Sequence, residues 1–161
     1  MHILKEGQTI QTVTSRMACT AEKFLGGGGQ GEVYRADLSG QKVALKWYFP
    51  AQATPEQRAA LEVLIKKGPP SEKFLWPIEL TESADVPGFG YIMPLRGPQY
   101  KSIVDLMKRQ AEPTFRALAT AGLELANSFL GLHAMGYCYR DISFGNVFFE
   151  PNTGEILICD N

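Results

Sequence analysis

Tyr139-Arg140-Asp141-Ile142-Ser143-Phe144-Gly145-Asn146 follows a long helical pattern and precedes Ile156-Leu157-Ile158-Cys159-Asp160, a short apolar run that ends in an acid. Taken singly, these residues are ordinary. Asp141 reads as a helix or turn cap, Asn146 as a turn residue and Asp160 as an acid at a strand end. Their order is less ordinary. A carboxylate, a carboxamide and a second carboxylate stand in sequence along a loop and the strand after it, with Arg140 beside the first.

Upstream, residues 113–133 repeat apolar or small side chains at Phe115, Leu118, Ala119, Gly122, Leu123, Ala126, Phe129 and Leu130, with a second stripe at Ala121, Leu125 and Leu132. That is helical periodicity on most of the circumference, and such a helix requires burial on several sides. The few residues after His133 are too short a stretch to cover it, which predicts a chain that is cut short. His133 itself reads as a structural residue at the helix end.

Before this helix, residues 101–110 form a short amphipathic pattern and Arg96-Gly97-Pro98 reads as a hinge. Residues 73–80 and 89–95 read as strands around the polar loop Asp85-Val86-Pro87-Gly88. Thr54-Pro55 opens a helix of about three turns, with threonine at the N-cap and proline at the first helical position, and Gly68-Pro69-Pro70 closes it. Residues 31–37 and 41–48 flank Leu38-Ser39-Gly40 as a hairpin. Residues 9–15 and 22–25 are weaker strand patterns.

Gly26-Gly27-Gly28-Gly29-Gln30-Gly31-Glu32-Val33 is a glycine run between two strands. A dinucleotide fingerprint would lead into a helix, whereas Glu32-Val33-Tyr34-Arg35-Ala36 is strand-like. A Walker loop would place lysine after the last glycine, where Glu32 stands. A strand, glycine loop and strand remain, suited to close backbone approach to phosphate oxygens. On the second strand of the hairpin, period two puts Val43, Leu45 and Trp47 on one face and Ala44 and Lys46 on the other. Lys46 shares its face with a small alanine that leaves room for a flat ring. An ammonium that holds phosphates needs an anionic partner. Glu62, beside the apolar Val63, Leu64 and Ile65, is the first choice; Glu56 lies in the first helical turn, where the helix dipole already accounts for an acid.

These segments together resemble the protein kinase superfamily, from about Leu25 to Asp160. The glycine run fits G-x-G-x-x-G-x-V, Val43-Ala44-Leu45-Lys46 matches the strand lysine, and Arg140, Asp141 and Asn146 match the H-R-D-L-x-x-x-N loop. The resemblance implies an α+β fold: an antiparallel sheet with one helix over residues 1–95, then a hinge and the beginning of a mainly helical lobe over 96–161. It implies ATP and Mg²⁺ as cofactors, with transfer of the γ-phosphate to a serine or threonine hydroxyl of a protein substrate. In it the catalytic residues are Asp141, which accepts or orients the proton of the substrate hydroxyl, Lys46 and Asn146. Gly26, Gly28, Gly31, Val33, Ala44, Lys46, Glu62, Met93, Pro94 and Arg96 bind the nucleotide, and Asn146 and Asp160 hold the metal.

Three residues depart from the family pattern. Tyr139 replaces the usual histidine, whose ring mainly packs. Ser143 stands where serine/threonine kinases carry a lysine, and Asn161 replaces the phenylalanine of D-F-G. With no activation segment after Asn161, the chain reads as an impaired fragment. A nucleotide-binding pseudokinase and a small-molecule kinase of the aminoglycoside or choline type are the alternative readings.

Composition agrees with one intracellular domain. The chain has 161 residues, 45% hydrophobic and 20% charged, with a formal net charge of −1. That balance predicts neither nucleic acid nor a membrane surface as the main partner. Cys19, Cys138 and Cys159 form no CxxC pair, which reads as reduced thiols in a cytoplasmic protein. The exposed surface of the long helix predicts self-association.

Overall fold

The computed structural model describes residues 2–159. The chain divides into two compact units, one of residues 1–68 with 76–95 and one of residues 69–75 with 96–161.

The first unit is a closed antiparallel barrel with one helix. Its elements are β1 (Thr9–Thr12), β2 (Ala18–Gly27), β3 (Gly31–Leu38), β4 (Gln41–Tyr48), α1 (Pro55–Lys67), β5 (Glu79–Glu82) and β6 (Gly90–Pro94), and the strand order is β1-β2-β3-β4-β6-β5. The closing pair is β1 with β5, in the register Gln11↔Glu82 and Thr12↔Thr81. Closure leaves no strand edge in the barrel unpaired. The turn after β1 is pinned to β5 by one carboxylate: Glu79 accepts from the Thr14 and Ser15 amides at 2.6 and 2.5 Å and from the Ser15 hydroxyl at 2.8 Å.

The β3–β4 hairpin turns on Ser39 and Gly40, both at positive φ, which matches the right-handed twist of the flanking strands. Val43, Leu45 and Trp47 enter the barrel core with Leu4, Ile10, Cys19, Ala21, Tyr34, Ala36 and Ile92. Burial raises the Cys19 thiol pKa to about 11, so this cysteine packs as a small apolar side chain. In α1, the Thr54 hydroxyl accepts from the Gln57 amide at 3.2 Å, Pro55 opens the helix, and Gly68 ends it at φ 76°.

The sequence pattern over 73–80 suggests one strand, yet the ladder begins only at Glu79. Phe74, Leu75 and Trp76 are buried outside it. A short apolar run does not reveal by periodicity whether it is a strand, and Pro77 within it supplies no amide to a ladder.

The second unit contains β7 (Lys101–Ser102), α2 (Ile103–Met107), α3 (Phe115–Ala134), β8 (Val147–Phe149) and β9 (Ile156–Ile158), with the three strands ordered β7-β8-β9. The segment expected as a single helix at 101–110 instead starts as a strand. Ser102 then closes a capping box: its hydroxyl accepts from the Asp105 amide while the Asp105 carboxylate takes the Ser102 amide. Residues 73–75 join the far side of β9, where the Leu75 amide donates to the Ile158 carbonyl and the Ile158 amide to the Lys73 carbonyl, both at 2.8 Å. On α3, Ala117, Ser128 and Leu132 are buried, while Phe115, Leu123 and Leu130 are exposed. No helix among the described residues is long and apolar enough to cross a membrane.

Candidate active site

The barrel places the glycine run at the tip of the β2–β3 hairpin. Two register shifts in β2, between Ala21 and Lys23 and between Phe24 and Gly26, bend the strand before the tip. The tip is held by the Gly28 amide donating to the Gly31 carbonyl at 3.0 Å and by the Phe49 amide donating to the Gln30 carbonyl at 2.9 Å.

The glycines are required for different reasons. A Cβ on Gly31 would stand 2.1 Å from the Trp47 carbonyl oxygen, so close approach of β3 to β4 demands glycine there. A Cβ on Gly26, Gly28 or Gly29 would meet nothing within 4 Å, and none of the three has positive φ. Neither packing nor backbone conformation asks for glycine at those three positions. The space outside them is open.

Lys46 on β4 is 5% exposed. Its Nζ stands 3.3 Å from Gln30 Oε1 and 5.5 Å from the Tyr48 ring centroid, so the ammonium is carried toward the glycine tip. Val33 is the cross-strand neighbour of Lys46, and Met93 that of Ala44, which places these four residues on adjoining positions of β3, β4 and β6. Pro94 is the exposed end of β6, paired in register with Val43.

Glu62 lies on the exposed side of α1, its side chain 58% accessible, with its carboxylate 3.4 Å from Arg58 one turn earlier. The anchor that turns the helix is Leu61, its buried residue, whereas Val63 is exposed. The apolar run after Glu62 therefore does not orient it as the sequence suggested. Glu56 behaves as an N-terminal acid: its own backbone amide and the Thr54 hydroxyl hold its carboxyl below the ordinary range.

In the second unit the loop after α3 is fixed at both ends. Tyr139 is buried against Phe129, ring centroids 5.4 Å apart, and its hydroxyl donates to the Cys159 carbonyl. Asn146, 8% exposed, donates from Nδ2 to the Asp141 carbonyl at 2.9 Å and to Asp141 Oδ2 at 3.0 Å. Its backbone carbonyl accepts from the Cys159 amide at 2.9 Å. Asn146 thus braces the loop as a side chain and ties it to the end of β9 as backbone. Between these anchors Arg140, Asp141, Ile142, Ser143, Phe144 and Gly145 are exposed.

Arg96 belongs to this unit, its guanidinium 4.2 Å from the Phe148 ring centroid and donating to the Tyr100 carbonyl at 2.5 Å. Asp160, the expected second metal ligand, lies outside the described residues. Two contributors were not singled out in the sequence. Gln30 offered no signal, as a loop position between glycines. The Tyr139 hydroxyl could have been suspected, because a buried tyrosine usually finds a partner for its O–H.

No protein-family model matches the chain. It is 46% identical over 37 residues to the Saccharomyces cerevisiae protein described as protein kinase MCK1, a match covering 23% of this chain and 10% of that protein. Among solved structures, the Mycobacterium tuberculosis PknI kinase domain superposes with a TM-score of 0.69 at 23% identity, covering 98% of this chain and 61% of that one. Vaccinia related kinase 3 superposes with a TM-score of 0.67 at 18% identity, covering 98% of this chain and 51% of that one. The chain therefore spans less than two thirds of either structure. With the barrel, the single helix packed on it and the braced loop after α3, these likenesses show an α+β, protein-kinase-like fold.

Proposed function

We propose that this chain carries ATP-binding and catalytic parts of a phosphotransferase that moves the γ-phosphate of ATP to a serine or threonine hydroxyl of a protein. The observation that carries this reading is the glycine tip. Gly26, Gly28 and Gly29 have no packing or conformational reason to be glycine, and a buried lysine is directed at the same tip. Close approach of phosphate oxygens supplies the missing reason.

In this reading the tip amides and the Lys46 ammonium receive the phosphates, and the small Ala44 side chain with Val33 and Met93 accommodates the adenine. The carbonyl of Pro94, at the exposed end of β6, would be the hinge acceptor, and the Arg96 backbone amide the hinge donor. Asp141, exposed on its braced loop, takes or orients the proton of the acceptor hydroxyl. Mg²⁺, when bound, neutralises phosphate charge. Asn146 and Asp160 are hard oxygen donors of the type that ion prefers, and with Nδ2 of Asn146 committed to Asp141, its Oδ1 is the atom offered to the metal. Glu62 would secure Lys46 only after leaving Arg58, an exposed pair of small worth. Self-association through the exposed Phe115, Leu123 and Leu130 belongs to the same reading, and light scattering across concentration tests it.

A second reading, nucleotide binding without turnover, has one specific observation behind it. Ser143, at the position of the phosphate-steadying lysine, is an exposed neutral side chain. Calorimetric titration of the full gene product with ATP and Mg²⁺ tests the common part of both. Saturable binding that is lost in Lys46→Met is the expected result, and binding unaffected by that substitution would remove Lys46 from the site.

A further inference from the structure

Residues 2–4, ahead of β1, are built into the glycine-rich hairpin. Leu4 is buried in the barrel core, with its amide donating to the Tyr34 hydroxyl at 3.0 Å. The Ile3 amide donates to Glu32 Oε2 at 2.7 Å, and His2 Nδ1 lies 3.3 Å from Glu32 Oε1. The Tyr34 hydroxyl also donates to Glu32. On the other strand, the His2 ring stacks on Phe24 at 4.1 Å between centroids. Residues 7 and 8 continue the attachment, pairing with both backbone groups of Ala21 at 2.8 and 2.9 Å.

Residues 2–4 therefore touch both strands of one hairpin just below its tip. Phe24 directly precedes the second β2 register shift, and Glu32 directly follows Gly31 and stands opposite Gly27 in the ladder. Beyond this brace lie Leu25, Gln30 and five glycines, and glycine has the most conformational freedom to lose on ordering. A tip ordered for only part of the time binds its ligand more weakly in proportion.

We infer that residues 2–4 form a clasp that positions the glycine-rich tip, and that Glu32 is the positioning residue through which they act. Its consequence for nucleotide affinity rests on the function proposed above, whereas its consequence for tip order does not.

The test uses the full gene product with Glu32→Gln, which keeps the shape and removes the charge, and Ile3→Pro, which removes one donated N–H. Without nucleotide, amide exchange over residues 26–31 should quicken about tenfold in both variants, with β4 and β6 unchanged. With Mg²⁺ present, the dissociation constant for ATP should rise by about the same factor, and the difference in turnover should vanish at saturating ATP. Unchanged exchange at the tip, or acceleration spread evenly over the barrel, would overturn the clasp. Absence of ATP binding in the unsubstituted protein would sink the nucleotide reading alone and leave the exchange comparison to decide the clasp.

Discussion

The two regions that hold the candidate residues are secured in different ways. In the barrel every strand has two neighbours, and Lys46 is carried on a strand buried from Val43 to Tyr48. The loop after α3 has no ladder at Asp141. It is tied down by Tyr139 and Asn146 at its ends and leaves the residues between them in solvent. The lysine's position is thus a property of the whole barrel, whereas that of Asp141 depends on a few hydrogen bonds. Damage should accordingly be global in one region and local in the other.

The largest break is expected at Trp47, fully buried in the barrel. Trp47→Ala should cost about 3–5 kcal/mol in denaturant unfolding and disturb every strand of the first unit together. Next comes Gly31→Ala, whose new methyl would collide with the Trp47 carbonyl and should cost about 1–3 kcal/mol. Gly28→Ala, with open space around it, should change stability by less than about 0.5 kcal/mol while weakening ATP binding. Equal destabilisation by the two alanines would remove the distinction between packed and open glycines.

A pH series sharpens the barrel side. Burial alone would raise the Glu32 carboxyl, but hydrogen bonds from Tyr34, the Ile3 amide and His2 outweigh it and hold the pKa below the ordinary glutamate range. A carboxyl depressed in the folded state contributes stability that is fully present above its unfolded pKa and lost as pH falls through the folded one. Melting of the unsubstituted protein should therefore lose more stability than Glu32→Gln on acidification across that window. Parallel pH profiles would contradict the assignment. A smaller and more local change belongs to the loop. Tyr139→Phe removes one hydroxyl and should cost about 1 kcal/mol, with faster amide exchange confined to residues near 139–146 and 159.

Much of this was legible in the sequence because the signals were local. Thr54-Pro55 and Gly68 bound α1, Ser39-Gly40 turns the hairpin, and the alternation around Lys46 gives the face that enters the core. What was not legible depended on partners distant in the chain. Nothing in residues 9–12 says that they close a barrel against β5, and nothing in Ile3 says that its amide meets Glu32. The run Val63-Leu64-Ile65 reads as the anchor of α1, yet Leu61 is its buried residue while Leu64 and Ile65 are half-buried, because which stripe of a short helix faces the barrel is decided by the barrel. In the sequence Tyr139 reads as a packing ring, and its hydroxyl acquires a role only where the end of β9 brings the Cys159 carbonyl within reach.

The proposed function requires the buried lysine of the barrel and the exposed aspartate of the braced loop to serve one phosphoryl transfer. Mg²⁺-dependent ATP turnover by the full gene product, measured beside Lys46→Met and Asp141→Asn, tests it most directly. Turnover should fall by about 100-fold or more in each variant, with ATP binding retained by Asp141→Asn. Turnover undiminished in either variant would contradict it.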